Sequence, residues 1–212
     1  MASFPGHTHY LLLAIVWLVW CGLHSALIAP GMLAHVRRRA QAARYHRLLY
    51  NMIAVITLVP VVLLSFRLQT APFWRWHGLA RIGQVGLLLT ALYLFVTGTR
   101  NYDLWQFLGI RNLQADDACQ LISADCRLEK TGILGIIRHP WYAGGILIIW
   151  ARDLDGSALI TNVILTAYFI IGARLEERKL LLQFGDAYRA YRQNVSMLFP
   201  FKWLRTKLLR RS

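Results

Sequence analysis

Acidic side chains are scarce in this chain: ten Asp and Glu stand against 24 Lys and Arg in 212 residues, a formal net charge of +14. Cysteine is scarcer, at three, and no His pair of metal-ligand spacing lies near the Cys119–Cys126 pair. A disulfide scaffold is thereby excluded, no metal site is expected, and Cys119 and Cys126 read as free thiols. No stretch reads as a disordered tail, a low-complexity tract or an internal repeat. The missing repeat, with no charge deep in three apolar runs, argues against a transporter. Met1–His9 holds no Lys or Arg, so a cleavable signal peptide is not expected.

Apolar residues are what the chain does have. They make up 57%, above the roughly 45–50% of a soluble domain. A basic chain suggests either nucleic acid or a membrane. The long apolar runs leave no soluble surface for nucleic acid, so no nucleic-acid partner is expected. A small multi-span membrane protein with basic loops fits both facts, with the lipid bilayer as its partner.

A helix needs about 20 residues to cross roughly 30 Å of hydrocarbon. Tyr10–Pro30, Leu48–Phe66 (with Pro60 inside it as an expected kink) and Leu79–Gly98 meet that length. The last two apolar runs are shorter: Pro140–Ala151, about 18 Å as a helix, and Ala158–Ala173, parted by "RDLDGS". The expected fold is all-α and integral to the membrane, with about five transmembrane helices: three full spans plus a short helical hairpin. As one membrane domain, 1–212, it divides into spans (10–98), a loop (99–139), the hairpin (140–173) and a C-terminal helical segment (174–212).

Basic residues set the expected orientation. Twenty of the 24 Lys and Arg fall before the second span, in 99–139 and after the hairpin, which the positive-inside rule assigns to the cytoplasm. The N-terminus is then outside, while the long loop and the C-terminal segment share the cytoplasmic face of what is expected to be a bacterial inner membrane.

Two polar groups sit at that boundary. Proline is favoured at the first helical position, so Pro140 is expected to start a helix capped by His139. The first-turn amides attract anions, and Arg138 adds a full charge. Gly144 and Gly145 allow a ligand or another helix to come close. The plain alternative is an interfacial Arg-His pair facing headgroups. The second group is "RLEERK", Arg174–Lys179. Glu176–Lys179 and Arg174–Glu177 could be surface pairs at i, i+3. In an antiparallel hairpin, however, Arg138-His139 and Glu176-Glu177 meet at one end, and basic and acidic groups flank one cleft. Such a cleft suits a zwitterionic ligand with a carboxylate, a positive centre and ribose hydroxyls.

"RHPWYAG", followed by "EERKLLLQFGDAYRAYRQNV", resembles the isoprenylcysteine carboxyl methyltransferase and phospholipid methyltransferase superfamily. "CGLHSALI", "NYDLWQFLGIRNL" and "FGDAYRAYR" are similar to its NnrU-like and methanethiol S-methyltransferase-like bacterial branch. The resemblance implies an S-adenosylmethionine-dependent membrane methyltransferase. Its cofactor site would be built from His139, Tyr142 and Gly145 of the hairpin's first arm with Glu176 and Glu177 of the second. Arg138, His139 and Glu177 would be the catalytic residues. Tyr188 and Tyr191, three apart on one helical face, would cover the adenine or substrate, or simply pack. Ser196 stands where the family has proline, away from any expected contact.

Methyl transfer from a sulfonium needs alignment and exclusion of water more than acid–base groups. The acceptor stays open among a thiol, a carboxylate and an amine. The branch resemblance favours a small apolar thiol, with an isoprenylcysteine or an aminophospholipid next. A non-catalytic membrane accessory or chaperone protein of a denitrification-type respiratory enzyme is the alternative.

His24, Ser25, Asn51 and Asn162 are expected to bond between helices or to serve function. Asp153 and Asp155 are expected in solvent. Phe201–Ser212 reads as a basic amphipathic stretch lying on anionic headgroups.

Overall fold

The computed structural model describes residues 7–28, 40–100, 128 and 130–209. Arg37–Arg39, Asn101–Leu113, Cys119 and Cys126 lie outside the described residues. The described residues form six α-helices: α1 His7–Ile28, α2 Ala40–Arg67, α3 Ala80–Thr99, α4 Pro140–Trp150, α5 Gly156–Asn194 and α6 Phe201–Leu209. A 3-10 turn, Gly132–Gly135, precedes α4, and no strand is present among the described residues. Four helices (α1, α2, α3 and α5) are long and apolar enough to cross a membrane, so this is an all-α, multi-pass membrane protein. Pro60 lies inside α2.

The second arm of the hairpin continues past Ala173. It runs unbroken through "RLEERK" as part of the 39-residue α5. Leu, Glu, Arg and Lys are all good helix formers, so a charged run need not end a helix. Up to the break at Gly185, α5 has about 43 Å of rise at about 1.5 Å per residue, already more than the bilayer core. Its apolar stretch is 156–173, and the charged remainder lies beyond it.

The chain forms two compact units. The first comprises α1, α2, the segment up to Arg75 and the beginning of α5. Leu13 and Trp17 pack against Val61 there. Hydrogen bonds follow the same seam: Trp17 Nε1 donates to Ser65 Oγ at 3.1 Å, Trp20 Nε1 to Thr57 Oγ1 at 3.2 Å, and the Tyr50 hydroxyl bonds to the His24 ring. Rising numbers on α1 meet falling numbers on α2, so the helices are antiparallel. His24 is thereby a helix–helix contact.

Asp155 corrects an expectation. It is buried rather than solvated, and it caps α5. Its Oδ1 accepts from Ala158 N at 2.7 Å and its Oδ2 from Thr70 N at 2.6 Å. One first-turn amide of α5 is thereby satisfied, together with an amide of the segment that follows α2.

The second unit contains α3, α4, the remainder of α5 and α6. Gly98 faces Trp141, Gly144 faces Phe95, and Gln84 Nε2 donates to Ala151 O at 2.8 Å. Helix α4 is therefore antiparallel to α3. On its other side Gly172 faces Tyr142, Gly145 faces Phe169, and Trp150 Nε1 donates to Thr166 Oγ1 at 2.9 Å. The second pairing is the antiparallel hairpin read from the sequence. Small residues let the short α4 sit close to both neighbours.

Candidate active site

His139 precedes Pro140, which begins α4. Proline at this position fixes φ and lacks an amide hydrogen that would otherwise go unpaired. The chain just before it is held by a returning strand-like segment. Ile137 bridges Ser196 in parallel, Arg138 N donates to Ser196 O at 2.9 Å, and His139 N donates to Met197 O at 3.1 Å. Ser196, expected to touch nothing of importance, is therefore corrected: its carbonyl holds Arg138. Any residue supplies a carbonyl, which is why the departure from proline gave no warning.

The return of the chain depends on Gly185. Its φ of 51° and ψ of −124° break the helical path inside α5. Side chains with a Cβ avoid this region. Beyond the corner, Tyr188, Tyr191 and Val195 pack against Leu180, with Phe184 alongside. "FGDA" offered the signal, a glycine at a helix end followed by an acid at the next helix start.

The corner brings a third partner to Glu177. Arg138 Nε donates to Glu177 Oε1 at 2.7 Å, and a terminal nitrogen of the same guanidinium lies 2.5 Å from that oxygen. Arg192 Nε lies 3.2 Å from Glu177 Oε2. Arg138 also donates to the carbonyls of Arg192 and Val195. Burial pushes the Glu177 carboxyl up, but the neighbouring His139 and Arg138 outweigh it and hold it below the ordinary range. The alternative i, i+3 surface pairing of Glu177 with Arg174 gives way to these contacts: Glu177 is buried and Arg174 exposed.

The two polar groups identified in the sequence thus meet, but the guanidinium of Arg138 is committed to protein partners. His139 differs. It is 2% exposed, and neither ring nitrogen has a hydrogen-bond partner. Its Nε2 is 3.4 Å from Glu177 Oε1 and its Nδ1 is 3.7 Å from Glu176 Oε2. Tyr142 sets an edge against the imidazole, with centroids 5.5 Å apart at 86°. Gly145 faces the Phe169 ring, so its missing Cβ serves helix packing at that point.

The tyrosine pair divides. The Tyr191 hydroxyl donates to Leu134 O at 2.6 Å, a packing role. Tyr188 is 1% exposed, and its hydroxyl has no hydrogen-bond partner. Buried polar atoms of this kind are rare and each asks for a partner. Among the described residues no cluster of His, Cys, Asp and Glu could hold a metal.

The family described as "NnrU protein" matches residues 11–198. Methanethiol S-methyltransferase of Pseudomonas deceptionensis is 31% identical over 160 residues, covering 69% of this chain and 60% of that protein. Methanethiol S-methyltransferase 2 of Bradyrhizobium diazoefficiens is 30% identical over 131 residues, 61% of this chain and 50% of that protein. A 15-cis-zeta-carotene isomerase of Zea mays is 20% identical over 199 residues, 92% of this chain and 50% of that protein. The chain thus spans 60% or less of the length of these relatives. No solved structure matches it.

Proposed function

The chain belongs to the NnrU protein family, and on that premise we propose that it is an S-adenosylmethionine-dependent integral-membrane methyltransferase acting on a small apolar thiol. The observation that carries this reading is His139. It is a buried imidazole with two unpartnered nitrogens, set between Glu176 and Glu177 at the mouth of a helical hairpin. Relatives named methanethiol S-methyltransferase support the thiol.

The residues present fit such a donor. Glu176 is only half-buried and offers a carboxylate to a positive centre. His139 and Tyr188 supply unsatisfied polar atoms for the ligand's remaining groups. When bound, S-adenosylmethionine supplies a methyl group on a cationic sulfur that departs neutral, so no acid is required. With Nε2–H of His139 directed at Glu177 Oε1, Nδ1 keeps a lone pair and takes the thiol proton, leaving the thiolate as nucleophile. Arg138 acts at one remove, holding Glu177 and the return segment. Tyr142 fixes the imidazole plane, and burial of His139 excludes water.

The excess of basic residues on one set of loops supports a cytoplasmic site, an external N-terminus and a bacterial inner membrane. Calorimetry with S-adenosylhomocysteine in detergent tests the reading. One site is expected, lost in His139→Ala and in Glu177→Ala. A folded wild-type chain that binds nothing would instead favour the accessory role, or the isomerase chemistry named for the maize relative. Radiolabelled donor with a panel of small thiols, prenylcysteines and aminophospholipids then identifies the acceptor.

A further inference from the structure

We propose that α6 is a docking surface for anionic phospholipid headgroups, and that docking holds the return segment 195–198 over His139. For the consequence at the site, though not for the docking, the inference rests on the methyltransferase reading.

None of α6 is buried against protein. Phe201, Leu204 and Leu208 fall within one narrow arc of the helix at 100° per residue, and all three are exposed. Arg205 flanks that arc on one side and Lys207 the other, and both are exposed. Lys207 Nζ stands 4.3 Å from the Trp203 ring centroid. An apolar stripe bordered by cations, with an aromatic beside them, matches a bilayer surface whose headgroups are negative. A soluble acidic protein would satisfy the cations and leave the stripe in water.

The second half follows from how α6 is attached. Lys202 N donates to Ser196 Oγ at 3.0 Å. The carbonyl of the same Ser196 accepts from Arg138 N, and that of Met197 from His139 N. Lys202 Nζ donates to Arg192 O at 2.7 Å and Gln193 O at 3.0 Å, while the Arg192 side chain pairs with Glu177. The first turn of α6 is thus bonded to the residues that hold both His139 and Glu177. Fixing α6 on a surface stiffens those bonds.

The test uses the full chain in nanodiscs of phosphatidylcholine alone, or of an equal mixture with phosphatidylglycerol. A polarity-sensitive label on Leu208→Cys, read against the same labelling of the unsubstituted chain, should shift blue in the anionic discs. The shift should vanish in Arg205→Gln/Lys207→Gln and in high salt. Hydrogen exchange at the Arg138 and His139 amides should slow in the same discs, and only with Arg205 and Lys207 present. S-adenosylhomocysteine should bind about fivefold tighter there, a typical size for coupled sites.

A label indifferent to lipid charge overturns the docking surface. A blue shift with unchanged amide exchange overturns the coupling. Lipid-dependent shift and exchange without any binding of S-adenosylhomocysteine would uphold docking and coupling while sinking the methyltransferase reading.

Discussion

Arg138 and Glu177, 39 positions apart, meet on a single carboxylate oxygen: Nε donates to Oε1 at 2.7 Å and a terminal nitrogen lies 2.5 Å from the same atom. Both side chains are buried. The pair joins the start of α4 to α5, and Arg138 further donates to carbonyls beyond the Gly185 corner. A residue pair expected to grip a ligand therefore also holds the scaffold, and the two roles can be separated.

Removing one member leaves a buried charge. Arg138→Met or Glu177→Leu should each cost about 3–5 kcal/mol, read from thermal or denaturant unfolding in detergent. The double substitution should recover much of that stability without recovering S-adenosylhomocysteine binding. Recovery of both would mean that neither group is needed at the site.

His139→Phe should behave in the opposite way. The imidazole has no short hydrogen bond to lose, only the longer approaches to Glu177 at 3.4 Å and Glu176 at 3.7 Å. Stability should stay within about 1 kcal/mol of wild type, while ligand binding disappears. A large loss of stability would identify His139 as a packing element.

Acid should loosen the site in a defined window. The folded Glu177 carboxyl sits below its ordinary value of 4.5, so its contribution is complete above that pH. It is lost as pH falls through the depressed folded value. The melting temperature should drop more steeply below about pH 4.5 in wild type than in Glu177→Gln, which has no such proton to gain.

Gly185→Ala should destabilise by about 1–3 kcal/mol, the range for a strained backbone conformation. The space around a Cβ there is open, so backbone strain rather than collision carries the effect. Unfolding melts would measure it, and limited proteolysis near Ser196 should quicken in step.

Gly144→Ala would place its methyl 2.9 Å from the Phe95 ring. Loosened packing of α4 on α3 is expected, at a cost of about 1–3 kcal/mol. The same substitution at Gly86, where nothing lies within 4 Å, should change the melting temperature little.

Spans, hairpin and the meeting of Arg138-His139 with Glu176-Glu177 were legible in the sequence because each follows from a local rule: run length, Pro at a helix start, charge at a boundary. Three features were not. Asp155 looked solvated because a break between apolar runs usually is, and only Thr70, 85 positions earlier, explains its burial. Arg192 was one of many basic residues until the Gly185 corner brought it to Glu177. Ser196 holds Arg138 through its carbonyl, an atom that every residue carries and no motif can flag.

Helix α4 has 11 residues, about 16 Å of rise, roughly half the hydrocarbon depth. At least one of its ends is therefore recessed below a flat bilayer surface, or the surface dips to meet it. His139 stands at one of those ends. On the methyltransferase reading, and with the His139 end the recessed one, a thiol that prefers oil to water would already be concentrated at that depth, and catalytic efficiency measured against aqueous concentration would include the molecule's own partition coefficient. Ranking candidate acceptors should then follow their solubility in lipid as much as their nucleophilicity.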